Sequence, residues 1–209
     1  MAIITDYTTL SSTVESYLDR SDLTSFVPNF IESAETIIYR TTKTRGIENA
    51  FNEVISSGAI DLTSLTGSKT WRNAKYLYVA SSPVTPLEFV DPDILFQKYP
   101  DRSTSETKPH MVARVDDTLI FGPAAAAVTV KGIYYELLGN LSATNTTNWF
   151  ITNAPEVLLY GSLIAAEPFI VGDERLPVWS SLYKASFDAV EEETRVSGRG
   201  GGRKAVKVL

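Results

Sequence analysis

The strongest constraint on the fold is a hydrophobic period that changes twice along the chain. Helical spacing at both ends encloses a middle that reads at strand spacing. Leu10, Val14, Tyr17 and Leu18 fall at i, i+4, i+7 and i+8, one stripe of a helix, with Thr8 as its N-cap. Arg20-Ser21-Asp22 interrupts it. A second helix follows, with Pro28 in its first turn and a stripe of Phe30, Ile31, Ala34, Ile37 and Ile38. From Gly46 the runs are short and β-rich: Phe51, Val54 and Ile55; Ile60 and Leu62; Tyr76 to Val79; Leu87 to Val90. Ser, Thr, Gly, Asn and Pro separate them. Asp91-Pro92 opens a short helix as N-cap and first position. Met111 to Val115 and Thr118 to Phe121, joined at Asp116-Asp117, read as a hairpin, and one long strand lies within 127–138.

Helical spacing then returns. Asn148-Trp149-Phe150-Ile151 makes a turn, Ala154-Pro155 starts a helix running to about residue 171, and Asp173 caps another. The last stripe is Leu176, Trp179, Tyr183, Phe187 and Val190, and Glu191-Glu192-Glu193 is expected to end it. No internal repeat is present. The spacing predicts an α+β fold, a helical base formed by the N- and C-terminal helices (1–45 and 147–195). A β-rich subdomain (46–146) is inserted in it, and a flexible basic arm (196–209) follows.

Charge divides along the same line. The chain of 209 residues carries 19 Lys+Arg and 25 Asp+Glu, a net −6. Residues 196–209 hold Arg199, Arg203, Lys204 and Lys207 and no acidic residue, so the remaining 195 residues carry −10. Four of the chain's 12 glycines, Gly198, Gly200, Gly201 and Gly202, lie in that arm, whose backbone freedom argues against independent folding. It reads as a basic arm on an acidic body. No basic segment precedes the apolar Met1-Ala2-Ile3-Ile4, so no signal peptide is read. The apolar stretch at 157–171 is broken by Glu167-Pro168 and is too short to span a bilayer. The two glycosylation-type sequons, at Asn140 and Asn145, read as turn-forming loops of a protein assembled in a cytoplasm.

Chemistry-bearing motifs are few. With no cysteine and one histidine, thiol nucleophiles, zinc–thiolate sites and multi-histidine metal sites are excluded, and no cofactor is implied. The arm's Gly198–Lys204 stretch fails as a phosphate loop. Arg203 stands where the second glycine belongs and Ala205 where Ser or Thr belongs. Asp91/Asp93 and Asp116/Asp117 serve better as helix start and turn than as acid–base pairs, and His110, beside Pro109, reads as structural or exposed. Ser162 lies mid-helix, outside any nucleophile elbow. No catalytic residue, metal ligand or enzymatic activity is indicated. Trp71 and Trp149 sit in polar, loop-like contexts. They are either interface aromatics or loop residues capping the core.

Several segments, taken in order, carry a resemblance. They are Tyr7 to Leu10, then Leu18-Asp19-Arg20-Ser21-Asp22-Leu23, and Pro28-Asn29-Phe30-Ile31-Glu32-Ser33-Ala34-Glu35. Pro86-Leu87-Glu88-Phe89-Val90 with Tyr99-Pro100 comes next, then Leu119-Ile120-Phe121-Gly122-Pro123 with Tyr134-Tyr135. The run from Thr147 to Gly161 follows, and Asp173-Glu174-Arg175 with Trp179 closes the set. This ordered set resembles the head-to-tail adaptor (connector) family of tailed bacteriophages, the short-tailed type in particular, over most of residues 5–190. The resemblance implies a structural, non-enzymatic virion protein of the head–tail junction. It implies a ring of twelve copies under the portal protein that extends the DNA channel. That ring would seat tail nozzle or hub proteins, pass genomic DNA without sequence-specific binding and touch no membrane. The C-terminal arm (Arg199, Arg203, Lys204, Lys207) is then expected to reach the portal, its charge suited to an acidic surface, while an acidic body limits sticking of sliding DNA. Two rivals stay open at this point: a nucleic-acid-binding protein using its Arg/Gly arm, and a peptidoglycan-degrading enzyme.

Overall fold

The computed structural model describes residues 3–67, 69–101, 108–170 and 172–198. Among them, α1 is Tyr7–Leu18 and α2 Val27–Thr41, joined by a 3₁₀ turn at Ser21–Phe26. The strands β1 (Glu48–Val54), β2 (Ala59–Asp61), β3 (Trp71–Val79), β4 (Thr85–Pro86) and β5 (Glu88–Phe89) follow, and then α3 (Pro92–Lys98). β6 (Met111–Val115), β7 (Thr118–Gly122) and β8 (Thr129–Glu136) complete the strands, and α4 (Trp149–Asn153), α5 (Pro155–Ala165) and α6 (Leu176–Ser197) close the chain. The α+β class expected from the periodicity is what the structure shows. The chain divides into two compact units, Met1–Ile47 with Leu138–Leu209, and Glu48–Leu137.

The helical unit is built around α5, which is apolar on every side and packs on α1, α2 and α6. Val157, Leu158, Leu159 and Leu163 are fully buried there among Leu10, Val14, Ile31 and Ile38. A helix hydrophobic all round belongs at the centre of a bundle. α1 starts two residues earlier than its apolar stripe suggests: Asp6, not Thr8, is the N-cap. Asp6 Oδ1 accepts from Thr9 N–H at 2.9 Å while Thr9 Oγ1 accepts from Asp6 N–H at 3.0 Å, a reciprocal capping box. On α2, Ile37 points outward rather than joining the core. α5 stops at Ala165, because Glu167-Pro168 turns the chain into a 3₁₀ segment. α6 continues a full turn beyond Glu191-Glu192-Glu193. Val190 is buried, the Thr194 hydroxyl lies 2.9 Å from Val190 O and 2.8 Å from Thr44 Oγ1, and the Arg45 guanidinium donates to Ser197 O. These tertiary partners outweigh the repulsion of three adjacent carboxylates. Residues 138–146, grouped with the β-rich part from sequence, contribute to the helical unit instead. Leu141 sits in its core and Tyr7 N–H donates to Thr146 O at 2.8 Å.

The β unit consists of two four-stranded sheets, ordered β1-β8-β3-β4 and β2-β7-β6-β5. Inward residues of both, among them Phe51, Leu77, Val79, Val112, Leu119, Phe121, Val130 and Tyr134, make one core. The Asp116-Asp117 hairpin is present: Val115 pairs with Thr118, Asp116 is left-handed, and Arg114 donates to Asp116 O at 2.7 Å. Asp91 occupies the N-cap position of α3 without a side-chain capping bond. The run Leu87 to Val90 is not one strand but divides between sheets, since Leu87 N–H donates to Leu77 O of β3 at 3.0 Å while β5 runs parallel to β6. β3 carries two register shifts against β8, at 71–73 and 74–76. Opposite them a Cβ on Gly132 would lie 2.0 Å from Tyr76 O and 2.9 Å from Leu77 Cα, so the irregular pairing requires glycine there.

Candidate functional site

In the helical unit the most elaborate polar construction is a carboxylate with no solvent exposure, Glu35 on α2. Its Oε1 accepts from Tyr39 O–H at 2.7 Å, from Asn148 Nδ2 at 3.0 Å and from Leu141 N–H at 3.1 Å. Leu141 N–H is shared with Oε2 at 3.0 Å. Asn148 Nδ2 also reaches Tyr39 Oη at 2.7 Å, and Asn148 Oδ1 caps α4 by accepting from Ile151 N–H at 3.0 Å. Burial pushes the Glu35 carboxyl above its ordinary range, against the pull of these three donors. Burial, and then the neighbouring carboxylate, raises the Tyr39 phenol as well. The cluster ties the returning segment 138–148 to α2. Both Glu35 and Asn148 fall in the segments that carried the family resemblance, yet neither was singled out. The available signal was a charged residue at i+4 from Ile31, on the buried face.

A second construction closes the end of α1. Arg175 donates to Tyr17 O at 2.7 Å and Leu18 O at 3.3 Å, supplying donors to the carbonyls that a helix C-terminus leaves unpaired. It is held by Asp173 (2.7 Å) and lies 4.9 Å over the Trp179 ring. The Arg175 hydrogen bonds keep the Asp173 carboxyl below its usual range. Leu18, Asp173 and Arg175 border an open cleft of about 600 Å³ that also includes Asp19 and the exposed Phe169. Both constructions position backbone. Neither presents a nucleophile beside a base.

The sequence-predicted residues separate on inspection. Trp71 opens β3 and is buried at 5% exposure, stacked on Tyr134 at 5.0 Å and edge-on to Phe51 at 5.3 Å. It is a core residue of the β unit, not an exposed interface aromatic. Its polar neighbours in sequence misled because alternate strand positions face opposite ways. Trp149 is half-buried, in α4, edge-on to Phe150 at 5.1 Å and packed so tightly on Gly46 that a Cβ there would lie 1.9 Å from its ring. Arg199, Arg203, Lys204 and Lys207 lie outside the described residues. His110 shares a 3.0 Å hydrogen bond with Tyr99 Oη, and Ser162, buried in α5, donates to Leu158 O. One exposed aromatic patch lies on the outer face of the β1-β8-β3-β4 sheet. There Tyr76, Tyr78 and Ile133 border a shallow cleft with Lys131 and Asn52. Among the described residues no group of three or more acidic or histidine side chains could hold a metal ion, and no helix is long and apolar enough to cross a membrane.

Buried polar groups are thus spent on fixing backbone, while apolar and charged groups are presented outward. The chain matches the family model described as SU10 adaptor protein over residues 5–204, and it belongs to that family. It is therefore a structural phage adaptor of the virion, at the junction of head and tail. No match is found among curated proteins.

Proposed function

We propose that the chain is a subunit of a ring, built on the portal and not formed in isolation, that extends the DNA channel and provides the platform on which tail proteins dock. In this reading the helical unit and the basic arm meet the portal, and the β unit meets the tail. The family match over residues 5–204 carries the proposal. The charge partition supports it: an acidic body of −10 suits a conduit for DNA, and a +4 arm suits an acidic partner surface. Twelve copies is the proposed stoichiometry.

The test is co-sedimentation of the chain with purified portal assemblies, with and without residues 196–209. The full chain is expected to bind in a fixed ratio and the truncated chain to lose binding. The free chain is expected to be monomeric by native mass measurement. Retained portal binding without the arm refutes the assigned role of the arm, and a stable ring without portal refutes templated assembly. Salt-sensitive DNA binding that disappears with the same truncation would favour the nucleic-acid reading instead.

A further inference from the structure

Two exposed surfaces, each complete within one unit, are complementary in shape and charge. The first is the outer face of the β1-β8-β3-β4 sheet, where cross-strand rows lie side by side. Val54 and Thr129 form one row, Asn52, Lys131 and Tyr78 the next, and Ala50, Ile133 and Tyr76 the third. Val54 is 57% exposed, Tyr76 49% and Ile133 38%, so apolar side chains of this face are turned to solvent. Lys69 and Lys75 are paired with Glu136 and Glu48, but Lys131 makes no ion pair among the described residues. The middle row of an apolar face thus carries one uncompensated cation.

The second surface is the outward side of α6. Trp179 and Val190 are buried against the bundle. One residue out of phase with them, hence about 100° round the helix, runs a second stripe of Val178, Leu182, Ala185, Ala189 and Val196, all exposed. Between Ala189 and Val196 it is interrupted by Glu192 and Glu193. Arg195 holds Glu192, whereas Glu193 makes no ion pair among the described residues. The middle of the stripe is small, at Ala185 and Ala189, and its C-terminal end is apolar again at Val196, 50% exposed.

The spacings of the two surfaces match. Successive rows of the sheet face are two residues apart, about 6.6 Å at about 3.3 Å per residue. Four residues of helix rise about 6 Å. Setting Lys131 against Glu193 therefore brings the Ile133–Tyr76 row to Ala189 and, in the other direction, the Val54 row to Val196, with α6 antiparallel to β8. Large side chains of the sheet then meet small ones of the helix, apolar meets apolar, and the two unpaired charges oppose each other.

We propose that the outer sheet face of one copy takes the outward stripe of α6 of a second copy, with Lys131 of the first opposite Glu193 of the second. The surfaces are unlike, so the contact is head-to-tail, and its repetition from copy to copy closes a ring. It rests on the ring reading above and names the joint between neighbouring subunits. Like-with-like pairing of either surface gains no such charge match.

The chain has no cysteine, so introduced thiols report the joint. Ala50→Cys and Ala189→Cys chains, one of them isotopically labelled, are mixed in equal amounts and oxidised with diamide, both bound to portal assemblies and concentrated in free solution. Each variant holds one thiol, so every disulfide links two copies. Chance collision yields the mixed dimer at about twice either like dimer, and the head-to-tail joint is expected to raise that to about tenfold or more. Lys131→Glu in the Ala50→Cys chain is expected to reduce the excess at least about threefold, and adding Glu193→Lys to the Ala189→Cys chain to restore it. An excess of mixed dimer in either setting supports the joint. The chance ratio in both, or a predominance of like dimers, overturns it. Co-sedimentation with the portal accompanied by chance crosslinking strikes the joint and leaves the ring. Mixed dimers in free solution without portal binding keep the joint and strike the portal-built ring.

Discussion

Removing the Glu35 carboxylate by Glu35→Ala tests what holds the returning segment 138–148 to the helical unit. The substitution deletes the acceptor of three donors: the Tyr39 hydroxyl, the Asn148 amide and the Leu141 N–H. Asn148 and Tyr39 keep each other as partners at 2.7 Å, so the group left without one is the Leu141 N–H, on a residue only 7% exposed. An unsatisfied buried donor costs about 1–3 kcal/mol, and the lost charge-assisted bonds add to that. Relief from burying a carboxylate offsets part of the sum, leaving an expected loss of about 3 kcal/mol. For a chain of this size, each kcal/mol lowers Tm by about 2–4 °C, so the transition of the helical unit should fall by about 6–12 °C. The assay is thermal and urea unfolding, followed by circular dichroism and by hydrogen exchange at the Leu141 amide. Glu35→Gln, which keeps one acceptor oxygen, is expected to cost about 1 kcal/mol. A Glu35→Ala chain within 0.5 kcal/mol of wild type, with the Leu141 amide equally protected, refutes the reasoning.

The same carboxyl gives a pH signature of defined sign. Its folded-state pKa is raised above the ordinary 4.5, so the folded chain holds the proton more tightly than the unfolded one. That contribution is fully present below about pH 4.5 and is lost as pH rises through the folded value. Stability of the wild type relative to Glu35→Gln, which is neutral at every pH, therefore declines across that window. A flat difference would show that the carboxyl does not titrate from the buried position.

Other expectations are simpler. Gly132→Ala places a Cβ against Tyr76 O and Leu77 and should destabilise the β unit by about 3 kcal/mol, read by urea unfolding. Arg175→Ala removes the donors at the end of α1 and should cost about 1–2 kcal/mol; Arg175→Lys should not restore it, because one ammonium cannot reproduce the forked contacts to Tyr17, Leu18 and Asp173. Trp71→Ala should cost about 3–5 kcal/mol, and in the native chain Trp71 should be the indole protected from acrylamide quenching within the β unit.

What was legible follows from local physics. The alternation of helical and strand spacing is a property of consecutive residues, and it identified α1, α2, α3, α5, α6 and the 111–122 hairpin at close to their observed places. Asp116-Asp117 was readable as a turn for the same reason. Errors arose where a distant partner decided. Thr194, Thr44 and Arg45 prolong α6 past its three glutamates, and the polar neighbours of Trp71 conceal a ring stacked on Tyr134. The Leu87 to Val90 run divides between two sheets because its neighbours, β3 and β6, are chosen by the fold and not by the run.

Sequence alone therefore determined the two textures of the chain, its acidic body and basic arm, and the absence of thiol chemistry, since composition and period need no third dimension. Only the tertiary structure decided that Glu35 is buried and fed by donors from residues 113 positions away or less, and that α6 keeps a second apolar face toward solvent. Burial is a property of what packs on a residue. For Glu35 the packing residues include Leu141 and Asn148, more than a hundred residues on, and for α6 they are α5 with Thr44 and Arg45 near its C-terminal end.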